Sequence, residues 1–228
     1  METAAFHQRS LIPILYEDDF YIAFEKPVGL LVVPTPKKEK NTLLRIVNEQ
    51  NRVSATSEKL FPCHRLDRDT SGVILFAKGE GNQQRMMNEF RTKAVDKKYI
   101  AFVDGKLKHK VGELKSIVKD FHMQKFDRQS SGQLAITRYR VLATKRLFTV
   151  VEASPITGRT NQIRIQFTQI GHPLLGERQY AFGRDFKIKF RRTALHAASI
   201  SFRHPVFKKQ ITINSPLPKD MEVFLGKN

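Results

Sequence analysis

A polar stretch at residues 64–72 carries the side chains best suited to chemistry. Within it Asp67 lies between Arg65 and Arg68, so an acid stands in a basic neighbourhood. The apolar run that follows at 73–77, bounded by glycines, predicts a fully buried strand. A loop held against a core strand is a common platform for functional groups. Asp67 is therefore either a structural charge partner or a reactive carboxylate.

The simpler interpretation of a loop aspartate is a turn residue or a capping acceptor. Asp69 fits this interpretation, because the sequence from Asp69 to Gly72 is ordinary turn chemistry ending at a glycine. Asp67 fits it less well, since it lies farther from that glycine. The residues of this loop, taken by themselves, leave both interpretations of Asp67 open.

The charge of the chain points to a polyanionic partner. Its 228 residues include 40 Lys and Arg against 22 Asp and Glu, a formal net charge of +18. Such a charge favours binding to RNA, DNA or an anionic membrane surface. No apolar segment approaches the roughly 20 residues that a membrane-spanning helix needs. We therefore expect a nucleic-acid partner and no membrane association.

The single cysteine, Cys63, excludes an internal disulfide and a cysteine-based zinc cluster. Cys63 stands beside His64, but adjacent residues rarely reach each other as nucleophile and base, so we interpret Cys63 as a packing residue. Residues 1–12 contain no apolar signal-peptide core. Together these features predict a protein of the reducing cytoplasm.

Many short strand-like segments and few helical ones predict a mixed α+β fold with largely antiparallel pairing. Alternating and continuous apolar patterns predict two short strands within 11–25 and further strands at about 73–77, 97–105, 113–118, 134–143, 147–153 and 183–192. Apolar residues at helical spacing predict helices at 42–50 (capped by Asn41), 82–92 (with Met86, Met87 and Phe90 facing inward) and 163–170. Residues 121–132 are expected to form an exposed loop.

The run His64-Arg65-Leu66-Asp67, followed by Thr70-Ser71-Gly72, resembles the HRLDxxTSG signature of the RluA family of RNA pseudouridine synthases. The resemblance implies that Asp67 is an essential catalytic carboxylate. Residues 97–105 resemble the family strand K-x-Y-x-A-x-V-x-G, whose tyrosine, here Tyr99, lies against the target base and the catalytic aspartate. Residues 26–34 resemble the first motif of the family, which we interpret as a kinked strand.

Residues 158–177 resemble the family pattern GRxHQIRxHxxxxGHPLxGD, whose second arginine, here Arg164, pairs with the catalytic aspartate. Such a pairing would keep Asp67 ionised, because an opposite charge favours the charged form. Asn161, Gln166 and Glu177 replace the two histidines and the aspartate of the pattern. We interpret these departures as affecting RNA contacts and local packing more than the chemistry. They also remove two potential metal ligands.

The candidate RNA-binding residues come from three features of the sequence. Arg65 is long and planar enough to stack in the space that a flipped uridine leaves. The polar helix start at 157–162 can hold a phosphate. The alternation of basic and apolar residues at 183–192 predicts a strand with one basic face. With the residues that the resemblance adds, the predicted RNA-binding set is His64, Arg65, Arg68, Thr70, Arg159, Gln162, Lys187, Lys189, Arg191, Arg192 and Leu195.

The resemblance implies the pseudouridine synthase fold, with an active-site cleft across the sheet. We expect residues 1–12 to be a tail and 13–228 to be one catalytic domain without a separate N-terminal RNA-binding domain, acting as a monomer on tRNA, rRNA or both. The isomerisation involves no redox change, phosphate transfer or net hydrolysis, so neither a cofactor nor a metal is expected. Two alternatives compete with this hypothesis. A non-catalytic RNA- or ribosome-binding protein explains the charge but not the carboxylate, and a DNA-binding protein lacks helix-turn-helix or zinc-finger spacing.

Overall fold

The computed structural model describes residues 11–52, 58–118, 132–181 and 183–228. The predicted loop at 121–132 and the predicted tail lie almost wholly outside these residues. Within the described ranges the strands are β1 (Ile14–Glu17), β2 (Tyr21–Lys26), β3 (Leu60–Pro62), β4 (Ser71–Lys78), β5 (Asp96–Asp104), β6 (Val111–Val118), β7 (Gln133–Thr144), β8 (Phe148–Pro155), β9 (Leu195–Arg203) and β10 (Gln210–Asn214). The helices are α1 (Leu43–Asn51), α2 (Glu80–Arg91), α3 (Gln162–Gln169) and α4 (Lys219–Lys227).

These strands form one mixed sheet in the order β1-β2-β4-β9-β5-β8-β7-β6, with β3 added to β4 and β10 added to β9. Of the pairs that join the described strands, only β4 and β9 run parallel. Short turns between consecutive strands favour antiparallel pairing, whereas a parallel pair needs a long crossover. The predicted α+β class with a largely antiparallel sheet is confirmed.

The parallel contact between β4 and β9 is short and tight. The two strands pair only through Ser71 with His196 and Gly72 with Ala197. Gly72 has a φ of +116°, and a Cβ on it would lie 2.2 Å from the carbonyl oxygen of Ala197. Only glycine fits this approach. Beyond these two pairs the strands diverge, and we call this contact the seam of the sheet.

Several hydrophobic clusters fill the structure. One packs around β2 and β4, where all eight residues of β4 are buried, as predicted for the apolar run, and it extends across the seam to Ala197, Ile200 and Phe202 of β9. Phe24, Leu43, Phe76 and Met86 are among its fully buried members. The others pack around β5 and β8, with Phe102, Phe148 and Phe167 buried. Burial of such side chains, at about 1.5–3 kcal/mol each, holds each part of the sheet together.

Two helix predictions need correction. Thr42, rather than Asn41, caps α1, because its Oγ1 accepts a hydrogen bond from the backbone N–H of Arg45 at 3.4 Å. Helix α2 begins at Glu80, two residues before the predicted start, with Gly79 at its N-cap position. In α2, Met86 is fully buried as predicted. Met87 was predicted to face inward, but it is 52% exposed.

Two further predictions are wrong in part. No strand forms over residues 183–192. Ile188 and Phe190 do pack against a buried cluster, and the alternating basic residues are exposed: Lys187, Lys189 and Arg191. The boundary of the predicted tail also moves, because Ile12 is buried and its backbone N–H and C=O both bond to the amide of Gln50, at 2.9 and 3.0 Å. Apolar anchoring alone, without strand pairing, therefore explains the alternation after Gly183.

Candidate active site

The three predicted catalytic residues lie around one cavity of about 600 Å³. Asp67 comes from the loop between β3 and β4, Tyr99 from β5 and Arg164 from α3. Leu195, the first residue of β9, also lines the cavity. The site therefore lies beside the seam, and its residues come from both parts of the sheet.

Backbone contacts hold the loop that carries Asp67. The backbone N–H of Thr70 donates to the carbonyl of Asp67 at 3.1 Å, which closes a turn. Arg68 and Gly29 exchange two hydrogen bonds, from the N–H of Gly29 to the Arg68 carbonyl at 2.8 Å and from the Arg68 Nε to the Gly29 carbonyl at 3.0 Å. The segment that resembles the first family motif therefore holds the loop of Asp67 in place. This segment follows the end of β2 as a turn, whereas the sequence predicted a kinked strand.

Lys26 anchors the same loop from below. Its ammonium is fully buried and donates to the carbonyls of Pro27, Arg68 and Thr70 at 2.9, 3.1 and 2.9 Å. Burial lowers the pKa of Lys26 to about 8, although the charges of Asp67 and Asp69 act in the opposite direction. A buried cation bonded to three carbonyls fixes the position of the loop relative to the end of β2.

Arg164 contacts Asp67, but its main partner is another carboxylate. The Arg164 Nη1 lies 3.7 Å from Oδ2 of Asp67, whereas Nε and Nη2 lie 2.7 and 2.9 Å from the two oxygens of Glu177. The side chain of Glu177 has no exposed surface, and that of Arg164 is 12% exposed. Asn161 adds a hydrogen bond from Arg164 Nη1 to its Oδ1 at 2.6 Å. The bidentate pair fixes both the position and the plane of the guanidinium.

Asn161 and Glu177, two of the three departures from the family pattern, both bond directly to Arg164. Gly176 positions Glu177: its φ is +73°, and a Cβ on it would lie 1.9 Å from the carbonyl oxygen of Arg192. Gln166, the third departure, serves packing as expected, since its Nε2 donates to two buried backbone carbonyls at 3.0 Å.

Electrostatics at Asp67 differ from the expectation. Burial raises the pKa of Asp67 above its ordinary value and outweighs the charges of Arg164, Arg65 and Lys26, which lower it, while Glu177 raises it further. Arg164 therefore favours the ionised form, as predicted, without bringing the pKa below the ordinary range. Burial of the carboxylate is the main reason, and the negative charge of Glu177 adds to it.

Tyr99 lies in the middle of the sheet, where β5 pairs with both β8 and β9. A bulge between Lys98 and Tyr99 shifts the register with β9 at this residue, and bulges commonly redirect side chains beside active sites. Burial raises the pKa of Tyr99 above its ordinary value, and the negative charge of Asp67 raises it further. At neutral pH Tyr99 is a neutral phenol close to the carboxylate.

Arg65, Thr70, Arg159 and Leu195 line the cavity, as the predicted RNA-binding set requires. His64 also lines the cavity, but its ring is hydrogen-bonded to the backbone, since Nε2 accepts from the N–H of Leu75 at 3.1 Å. Burial lowers the pKa of His64 to about 3, and the charge of Lys97 lowers it further. At neutral pH this imidazole is uncharged, and its hydrogen bond supports the loop.

Gln162 is likewise engaged within the protein. Its Oε1 accepts from Thr157 Oγ1 at 2.6 Å and from the Arg159 N–H at 3.0 Å, and its Nε2 donates to the Ile136 carbonyl at 2.9 Å and to Thr137 Oγ1 at 2.8 Å. Gln162 is buried and holds the segment before α3 against β7. Gln162 also lines the cavity, and its contact with RNA stays a prediction.

Arg192 has protein partners and lies outside the cavity of Asp67. Its guanidinium pairs with Asp220 at 2.8 Å and donates to the carbonyls of Asp69 and Leu195 at 3.2 and 3.0 Å. It thereby ties α4 to the loop that carries Asp67 and to the start of β9. The remaining members of the predicted set do not line the cavity of Asp67: Arg68, Lys187, Lys189 and Arg191.

The sequence prediction missed one wall of the cavity. The end of α2 and the start of β5 contribute Met87, Phe90, Arg91, Lys93 and Lys97. The sequence shows an exposed, basic turn between α2 and β5. Only the tertiary packing, however, places that turn opposite residues 155–164. With this wall, positive side chains surround the mouth of the site.

Among the described residues, no group of three or more His, Cys, Asp or Glu side chains is arranged to hold a metal ion. The helices of the described ranges are all too short or too polar to cross a membrane.

Comparisons with known proteins place the chain in a class of RNA-modifying isomerases. Residues 20–169 match the family described as RNA pseudouridylate synthase. The chain belongs to this family and, within it, to the RluA group. Enzymes of the family are isomerases that act on RNA.

Relatives of the chain carry names from two substrate classes. It is 31% identical over 235 residues to the tRNA pseudouridine synthase C of Haemophilus ducreyi, covering 95% of each protein. It is 35% identical over 232 residues to the ribosomal large subunit pseudouridine synthase D of Nitrosomonas europaea, covering 96% of this chain and 66% of the relative. The solved structure of human RNA pseudouridylate synthase domain containing 4 shares the fold, with a TM-score of 0.78 at 22% identity, over 94% of this chain and 92% of that one.

Proposed function

We propose that this protein converts specific uridines of structured RNA to pseudouridine, with Asp67 as the essential catalytic group and without a cofactor. One observation carries the proposal. Among the described residues that line the cavity, Asp67 is the sole acid, and it lies beside Tyr99 and Arg164 in a site otherwise rich in positive charge. A lone carboxylate in a basic cleft suits a reaction on a polyanion at a sugar carbon.

The reaction breaks the bond between uridine N1 and ribose C1′, turns the base and joins C5 to C1′. Asp67 would act at the ribose, either as nucleophile on the sugar or as base, and the two roles stay open. The uridine must leave its stack to enter the cavity, which costs a few kcal/mol. Arg65, exposed at the mouth, would offset part of this cost by stacking in the vacated space.

Arg164 would orient the carboxylate of Asp67, and Glu177 would in turn orient Arg164. Tyr99 is our candidate for accepting the C5 proton after the new bond forms. Because its pKa is raised, the phenol must pass on its own proton as it accepts the other. Asp67, whose pKa is also raised, is an acceptor for that proton within the same cavity. N1 of the product gains one proton, which Asp67 would return directly or through solvent, so the isomerisation neither takes up nor releases protons overall.

The names of the relatives favour tRNA, rRNA or both as substrates. We further propose that residues from about Ile12 onward form one catalytic domain that acts as a monomer in the cytoplasm. The competing hypothesis, a non-catalytic RNA-binding protein, would use the same basic cleft. Salt dependence of binding would not separate the two, since both would bind through phosphates. Only turnover distinguishes them.

The test is tritium release from tRNA and rRNA fragments that carry 5-tritiated uridine. Wild type, Asp67→Asn and Asp69→Asn are compared, because Asp69 is an exposed acid of the same loop. We expect release by wild type and Asp69→Asn, and a loss of at least 1000-fold in Asp67→Asn. Equal release by Asp67→Asn would exclude Asp67 as the catalytic residue. Tight binding without release from any tRNA or rRNA would favour the non-catalytic alternative.

A further inference from the structure

Lys97 places a positive charge inside the active-site cavity. It lies on β5, two residues before Tyr99, and is partly buried. Its Nζ lies 5.9 Å from the centre of the Phe90 ring and 3.8 Å from the position that a Cβ on Gly158 would take. The side chain therefore extends from the sheet across the cleft towards the segment before α3.

No acid among the described residues lies within ion-pair distance of the Lys97 ammonium. Two other cations near the site do have partners. Arg164 is paired with Glu177, and the ammonium of Lys26 is bonded to three carbonyls. Burial lowers the pKa of Lys97.

A buried charge without a partner is costly to a folded protein. Such a charge is expected where a ligand supplies the missing partner, and the ligand of this cavity is RNA, which carries one phosphate for each nucleotide. An ammonium suits a phosphate as a compact point charge. Met87 and Phe90 provide apolar surface on the same wall, against which a base can lie while its phosphate faces Lys97.

We propose that Lys97 binds a phosphate directly flanking the target uridine and so anchors the flipped nucleotide in the cleft. This inference rests on the proposed function and names the contact by which the same site holds its substrate. Lys97 is a binding residue in this account, because its charge is not among those that shift the pKa of Asp67. Its loss should weaken substrate binding and leave the chemical step nearly intact.

The first test measures tritium release by Lys97→Met, Lys97→Arg and the matched control Lys98→Met. Lys98 is the next residue of β5, exposed and already paired with Glu152 at 3.8 Å. We expect Lys97→Met to raise KM about 10- to 100-fold, the range of one charge-assisted hydrogen bond, with kcat within about threefold of wild type. Lys97→Arg should recover most of the loss, and Lys98→Met should change KM less than about threefold. Equal KM values for Lys97→Met and Lys98→Met would overturn the proposal.

The second test identifies the phosphate and needs no turnover. Binding is measured in the Asp67→Asn background, with Lys97 either intact or replaced by methionine, to an RNA stem-loop whose flanking phosphates are replaced one at a time by neutral methylphosphonates. For the protein that retains Lys97, one phosphate replacement should lower the affinity about as much as Lys97→Met lowers it for the unmodified RNA. The affinity of the Lys97→Met protein should not change with that replacement. If the Lys97→Met protein loses the same factor at each replacement, Lys97 does not bind those phosphates. Because this arm measures affinity alone, its failure is separate from a failure of the enzyme to release tritium.

Discussion

Glu177→Gln tests whether a buried carboxylate holds Arg164 in place. The substitution keeps the size of the side chain and removes its charge. Removing one partner of a buried ion pair costs about 3–5 kcal/mol, because the other charge is left uncompensated. Here Asp67, 3.7 Å from Arg164, offsets part of that cost. We therefore expect the free energy of unfolding to fall by about 2–3 kcal/mol.

The assay is thermal unfolding of wild type, Glu177→Gln and a control, Glu113→Gln. For a domain of this size 1 kcal/mol corresponds to about 2–4 °C in Tm, so Glu177→Gln should lower Tm by about 5–10 °C. The control removes a carboxylate whose pair with Arg138 is exposed on both sides. Such pairs contribute less than about 1 kcal/mol, and Glu113→Gln should lower Tm by no more than about 3 °C.

The effect of Glu177 should also depend on pH in a defined direction. Burial raises the pKa of Glu177, but the hydrogen bonds and charge of Arg164, with the N–H groups of Gln179 and Tyr180, outweigh burial and bring the pKa below its ordinary value. An acid with a lowered folded pKa stabilises the protein above its unfolded pKa of about 4.3 and loses that effect as pH falls through the folded value. The difference between wild type and Glu177→Gln should be full at pH 7 and should diminish below about pH 4.

Activity gives an independent readout of the same contact. Glu177 contributes to the raised pKa of Asp67, so its neutralisation should move the acid limb of the kcat/KM profile to lower pH while kcat falls. Glu177→Asp, which restores the charge on a shorter side chain, should recover part of both. A Tm for Glu177→Gln equal to that of Glu113→Gln, with an unmoved acid limb, would refute the reasoning.

Two further predictions concern the charges beneath and within the catalytic loop. Because the pKa of Asp67 is raised in the folded state, ionised Asp67 destabilises the fold at pH 7. Asp67→Asn should therefore raise the free energy of unfolding by about 1.4 kcal/mol for each unit of that rise. Urea unfolding should show this gain at pH 7 and its disappearance below about pH 4, and a loss of stability at pH 7 would contradict the prediction. For Lys26 the pKa falls from 10.5 to about 8, so the folded state releases a proton that the unfolded state keeps, and the stability of wild type relative to Lys26→Met should rise by roughly 3 kcal/mol between pH 8 and pH 10.5. A difference that stays constant across this range would show that Lys26 does not titrate early.

The sequence predicted the parts of the site that depend on short segments. Asp67, Tyr99 and Arg164 each stand in a local pattern, and the buried strand after Asp67 followed from a run of apolar residues. The mixed, largely antiparallel sheet was predictable from the number of short strands. These features depend on neighbours in the sequence, which a single chain displays directly.

The sequence did not predict the environment of residues whose partners are distant in the chain or whose exposure is set by packing. Gln162 and Arg192 have the polar side chains expected of RNA-binding residues, but the fold engages both in the hydrogen bonds described above. Met87 lies beside a buried methionine on α2, yet the packing of that helix against β4 leaves it at the cleft. The segment after Gly183 alternates like a strand because apolar residues anchor it to a cluster, without a neighbouring strand to pair with.

The seam between β4 and β9 has a consequence for how activity arises during folding. Asp67 belongs to the part of the sheet that includes β1, β2 and β4, whereas Tyr99, Arg164 and Leu195 belong to the part that begins at β9. The two strands that join these parts meet through residues 125 positions apart in the chain, and contacts of such long sequence separation form slowly because a large loop must close first. The clusters around β5 and β8 contain no residue of β2 or β4, so they can collapse before the seam closes. The last native feature that the chain acquires would then be the alignment of its carboxylate with the rest of the active site.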